Sequence, residues 1–168
     1  QIDGINGLAS VTYIVLVLSV LSLFTLSTLF LNFYVTCLII SITYLFINLW
    51  GKFGIQGESG SFFMGVTSYL LIVNTFAEFK VLYSIFFICP ILLDLVVTTI
   101  YLFIYGYNVF HGHRENIYQK LTSKFKSPSK ISFGFAAFQA IYSLYIIYFW
   151  NKGLALDKII FLIVSCTL

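Results

Sequence analysis

Apolar runs close to twenty residues long, separated by short polar stretches, constrain this chain more than any other feature. They fall at roughly residues 9–28, 31–50, 61–77, 81–105, 132–150 and 155–168. A helix needs about 20 apolar residues to cross a hydrocarbon core of about 30 Å. Charged residues make up only 9% of the 168, against about 25% in soluble domains. Phe, Tyr and Ile give short windows strand propensity, but an open sheet cannot satisfy its backbone in lipid and the runs exceed a barrel strand. The expected fold is all-α: a polytopic transmembrane helical bundle of about six membrane segments, forming one transmembrane domain over residues 1–168.

Charge sets the expected orientation. Lys52, Arg114, Lys120, Lys124, Lys126 and Lys130 fall in two loops that alternate crossings place on one side, with Lys80, Lys152 and Lys158 opposite. The positive-inside rule makes the richer side cytoplasmic, and Asp3, Glu58, Arg114 and Glu115 go with it. Cys37, Cys89 and Cys166 are scattered through apolar runs, so neither a disulfide framework nor a zinc motif is expected. The chain opens at Gln1 without a Met, a basic leader or a cleavable signal pattern, and closes inside an apolar run. It reads as a piece of a longer protein.

Four constellations carry the polar chemistry. Asp3-Gly4-Ile5-Asn6-Gly7-Leu8-Ala9-Ser10 leads into the first apolar run: glycines permit close backbone approach and a helix N-terminus suits phosphate, while Asp3 or Asn6 equally suits a helix cap. Gly57-Glu58-Ser59-Gly60-Ser61 precedes the third run. Its carboxylate suits a magnesium ion bridging to phosphates, with Ser59 or Ser61 as the helix cap. His111-Gly112-His113-Arg114-Glu115-Asn116-Ile117-Tyr118-Gln119-Lys120-Leu121 opens the long basic loop over 106–131; arginine forks onto phosphate and histidine donates to it, and Lys120, Lys124, Lys126 and Lys130 suit an anionic lipid surface. Asp94 stands inside the fourth run, four residues after Pro90 and four before Thr98. A carboxylate there costs at least about 2.5 kcal/mol in lipid, so it needs a partner on a neighbouring helix or a function.

In this order the segments resemble the polyprenyl-phosphate N-acetylhexosamine-1-phosphate transferases, glycosyltransferase family 4, relatives of the phospho-MurNAc-pentapeptide translocase. The resemblance rests on Asp3 to Ser10, Asn48 with Gly57 to Ser61, Asp94 with Thr98, and His113 to Leu121. The loop at His113 looks more like the branch that initiates O-antigen or capsule synthesis. The resemblance implies that this is the C-terminal part of a longer enzyme in a bacterial inner membrane, with its active loops cytoplasmic. That enzyme would move a sugar 1-phosphate from a UDP-sugar to polyprenyl (undecaprenyl) phosphate, releasing UMP.

By that resemblance Mg²⁺ is the cofactor, held by Glu58 with Asp3. Asp3, His113 and Arg114 are the catalytic residues, and Asn6, Asn48 and Asp94 contact substrate. Asp3, Glu58, His113 and Arg114 are expected to converge near the cytoplasmic interface. Partners are the two substrates, the lipid bilayer and a possible second copy of the chain; no nucleic acid is expected. The chain departs from the family pattern at Glu58, where the family has Asp, at Asn116, where it has His, and at Tyr101 and Leu102, where it often has an Arg pair. Two alternatives stay open: a catalytically silent family remnant acting as a membrane interaction module, and a transporter segment.

Overall fold

The structure, a computed structural model, describes residues 7–50, 57–79, 83–107 and 116–152. Every regular element among them is a helix: α1 (Leu8–Leu23), α2 (Thr28–Trp50), α3 (Gly57–Phe79), α4 (Tyr83–Phe86), α5 (Cys89–Ile104), α6 (Ile117–Phe125) and α7 (Pro128–Asn151). The helical bundle expected from the sequence is the observed architecture. Thr28–Asn48, Ser59–Phe79 and Pro128–Asn151 are long and apolar enough to cross a membrane, with mean hydropathy 2.0, 1.4 and 1.5. α1 and α5 are also apolar but have 16 residues each, about 24 Å of helix.

α1 is the centre, packed against α2, α3 and α7. α1, apolar all round as a core or membrane helix is, buries Leu8 to Tyr13 without a break, then Leu16, Val17, Ser19 and Val20, while Leu18 is exposed. The helices around it are inverted relative to a soluble bundle. α7 turns Ser132, Ala136, Gln139, Ser143 and Ile146 inward, a spacing of four, three, four and three, while Phe133, Phe138, Ile141, Leu144 and Tyr148 face outward. Small inward side chains let backbones approach, and large apolar ones outside suit lipid. Most inward hydroxyls are satisfied locally: Thr12, Ser41, Thr67, Thr75 and Ser132 each donate to the carbonyl four residues back, at 2.7 to 3.1 Å. Ser84 Oγ and Ser143 Oγ are buried without a hydrogen-bond partner.

Contacts at the two ends fix the directions. Phe24, just past α1, packs on Phe79 at the end of α3 and on Trp150 at the end of α7. At the other end Leu8 clusters with Tyr118, Ile131 and Phe135. Hence α1, α3 and α7 run the same way and α2 returns between them. The start of α3, the end of α2 and the α6 segment therefore share the Leu8 end.

Four boundaries differ from the sequence reading, among them the start of the fifth run, which begins at Pro128 rather than 132. The first turn lies at Phe24 to Ser27 rather than near Leu31: Phe24 is extended (φ −120°, ψ 127°) and Leu31 belongs to α2. The third run begins earlier, since α3 starts at Gly57, so Ser59 and Ser61 sit inside it rather than capping it. The run at 81–105 is two helices, α4 and α5, broken at Phe87 and Ile88. Pro90 causes this, because its ring nitrogen cannot donate back to Phe86. The Ile91 amide turns to Ile88 at 3.1 Å, not to Phe87. Gln139 Nε2 from α7 instead donates to the freed Phe87 carbonyl at 3.1 Å and to Thr12 O at 3.3 Å. One amide thus ties the break to α7 and α1. Within the 106–131 loop the structure adds α6, and the run at 155–168 lies outside the described residues.

Candidate functional site

Asp94 is the ionisable group that the fold places most tellingly. It lies on the first half of α5, only 8% exposed, at the level of Leu8 and Asn116, the neighbours it shares around a cavity of about 60 Å³. Ile91, Tyr118 and Phe135 complete much of that lining. The cavity has room for one or two waters on the usual scale, and its polar walls are Asp94, Asn116 and Tyr118.

The carboxylate caps a helix that belongs to another part of the chain. Ile117 N–H, the first amide of α6, donates to Asp94 Oδ1 at 3.1 Å. First-turn amides have no partner within their own helix. Asn116 occupies the position from which a side chain would normally serve them, with extended backbone (φ −60°, ψ 147°) and no capping bond. Its Nδ2 donates instead to Tyr118 Oη at 2.9 Å. Tyr118 in turn meets the Phe135 ring edge-on at 6.3 Å. The α6 start is therefore clamped between α5 and α7, and Asn116, buried to 6% exposure, is part of the clamp.

α5 itself ends on glycine. Gly106 takes φ 71°, the Tyr107 amide donates to Leu102 O at 2.9 Å and the Gly106 amide to Phe103 O at 3.1 Å, the paired bonds of a Schellman stop. Beyond Asp94 most of α5 stands clear of the bundle: Val97, Ile100, Phe103 and Ile104 are all exposed.

Of the residues given a catalytic, substrate or metal role from the sequence, Asp94 and Asn48 have described side chains. Asn48 is 5% exposed near the end of α2, at the same end of the bundle as Leu8. Glu58 is the second residue of α3, at that end too, but its side chain lies outside the described residues. Asp3, Asn6, His111, His113 and Arg114 lie outside them altogether. The N-cap position of α1 is Gly7, at φ 82°, a conformation glycine takes without steric cost. Among the described residues no three of His, Cys, Asp and Glu come together as a metal site. The fold does gather described residues of three quoted motifs around one cavity: Leu8 of the Asp3 to Ser10 motif, Asn116 and Tyr118 of the His113 to Leu121 motif, and Asp94.

Sequence reasoning passed over Gln139, for which a lone amide in the apolar run of α7 is the available signal. Tyr118 stands in the His113 to Leu121 motif, but its place in the clamp depends on a helix that the loop pattern does not show. Comparison with protein-family models, with curated proteins and with solved structures finds no match to this chain.

Proposed function

We propose that this chain is the C-terminal part of a membrane transferase that moves a sugar 1-phosphate, of N-acetylhexosamine type, from a UDP-sugar to polyprenyl phosphate with release of UMP. The observation that supports it is the meeting of Leu8, Asp94 and Asn116 around one cavity. Three segments far apart in sequence, each ending or starting in polar chemistry, reach one end of one bundle. A two-substrate phosphoryl transfer needs such convergence, because positioning and charge stabilisation supply most of its catalysis.

In this reading Asp94 positions rather than reacts: by capping α6 it fixes the stretch that follows His113 and Arg114. Those two would bind the diphosphate, Asn6 and Asn48 would contact the nucleotide, and Asp3 and Glu58 would hold Mg²⁺. The ion would offset charge on the phosphoryl oxygens. The fit of the ion rests on Asp3 and Glu58, since the described side chains at this end offer one carboxylate, Asp94, and Ile117 already uses one of its oxygens. The proposed setting is a bacterial inner membrane, with these loops cytoplasmic.

The test is UMP release from UDP-N-acetylhexosamines by membranes expressing the full-length protein with undecaprenyl phosphate. Arg114→Ala and Asp3→Asn should each lower the rate by about 10²–10³, the scale of losing one transition-state contact. Wild-type membranes with no magnesium-dependent UMP release would sink the reading and favour a silent remnant. The helix break at Phe87 favours a second reading, a transporter segment, since transporters bind substrate at interrupted helices. Against it, the freed carbonyl is used internally by Gln139 rather than lining a path.

A further inference from the structure

α5, α6 and α7 enclose an open groove of about 520 Å³ whose walls include Pro90, Leu93, Val97, Leu121, Lys130 and Phe138. Its direction follows from the packing. Phe87, just before α5, is level with Gln139, and Asp94 is level with the α6 start. The deep end is therefore Pro90 with Phe138, and the mouth is Val97 with Leu121 and Lys130. Eight residues of α7 separate Lys130 from Phe138, about 12 Å of helix, more than a third of a hydrocarbon core.

The walls face outward, with Leu93, Val97 and Phe138 at 37%, 56% and 60% exposure. The mouth is cationic. Lys120, Lys124, Lys126 and Lys130 fall within eleven residues, and no Asp or Glu occurs from 116 to 152. α6 is amphipathic, with Ile117, Tyr118 and Leu121 on one side and Lys120 and Lys124 on another. Lys120 Nζ lies 5.1 Å from the Tyr101 ring centre, the Tyr105 ring packs on Tyr101 at 4.5 Å, and Tyr105 and Tyr107 are exposed. Tyrosine and lysine at one level mark the membrane interface.

We infer that this groove is a seat for one anionic phospholipid of the surrounding bilayer, its acyl chain between α5 and α7 and its phosphate at Lys130. Asp94 also lines the groove, between its deep end and its mouth, where one of its oxygens takes the Ile117 amide. A docked apolar helix would cover the groove equally well, but it would bring no anion to the lysines at the mouth. A soluble phosphate would leave the apolar walls bare. The inference does not depend on the transferase reading.

The test uses the whole chain purified in detergent, offered equal dioleoyl phosphatidylglycerol and phosphatidylcholine, with retained lipid counted by native mass spectrometry. Phosphatidylglycerol should exceed phosphatidylcholine at least about fivefold, the effect of one lysine at an anionic surface. Lys130→Gln should bring the ratio close to one. Gly134→Phe should reduce retention of both lipids, since a Cβ at Gly134 meets nothing within 4 Å and the ring enters the groove. Val97→Trp should do the same from the α5 wall, which covers the case that Gly134→Phe misfolds. Gly65→Phe, equally open on α3, should change nothing. Equal retention of the two phospholipids, no effect of either groove-filling variant, or retention of polyprenyl phosphate alone would each overturn the proposal. UMP release from the same preparations reports on the transferase reading separately.

Discussion

Replacing Asp94 with alanine removes the acceptor of the first α6 amide, and a lost cap costs about 0.5–2 kcal/mol. Asp94→Asn keeps an acceptor oxygen and should recover most of it; hydrogen exchange at the Ile117 amide would show the difference, and equal exchange in both variants and wild type would refute the capping role. Gln139→Leu leaves the Phe87 carbonyl without its donor in a dry interior. That should cost about 1–3 kcal/mol, read as a lowered midpoint of thermal unfolding in detergent. These two residues also mark what sequence shows at this scale. An aspartate in an apolar run announces that it needs a partner, and Asp94 was legible to that extent. The partner is an amide 23 residues further along, and nothing in the local pattern of either residue names the other.

At the scale of elements, helices were legible where apolar length dictates them, and their ends were not. α1 stops at Leu23 although the chain stays apolar through Phe24 and Leu26, because the Thr25, Ser27 and Thr28 hydroxyls favour a turn there. The break before α5 was legible in Pro90, yet a proline near a helix start is compatible with either one helix or two until the neighbour that takes the freed carbonyl is known. α6 is hidden in the sequence because five of its nine residues, Gln119, Lys120, Thr122, Ser123 and Lys124, are polar and continue the pattern of the basic loop. The end of α5 gives a clean test. Gly106 has open space for a methyl group, so Gly106→Ala costs only backbone strain, about 1 kcal/mol or somewhat more. Exchange should quicken at the Gly106 and Tyr107 amides and leave α1 and α7 unchanged; unchanged exchange at those two amides would count against the stop.

For the whole molecule the governing fact is the inversion of polarity. Ile141, at 68% exposure, would accept lysine freely on a water-soluble bundle. Facing lipid near the middle of α7, Ile141→Lys should cost about 2.5–3.5 kcal/mol of insertion. The inserted fraction, measured by glycosylation mapping, would report it, and wild-type insertion would mean that this face meets water or protein. The candidate site was less legible than the bundle: its segments could be placed at one end from charge alone, but their meeting depends on how α1 and α7 pack. That pairing also has a consequence in time. α1 emerges about a hundred residues before α7, its main partner, on the order of 5–20 s at the ribosome's pace of ~5–20 residues per second. During that interval the side it will turn to α7 lies against lipid or the insertion machinery. The internal hydrogen bonds of Thr12 and Ser19 make the wait tolerable, and a nascent chain halted before α7 should be a ready target for membrane proteases.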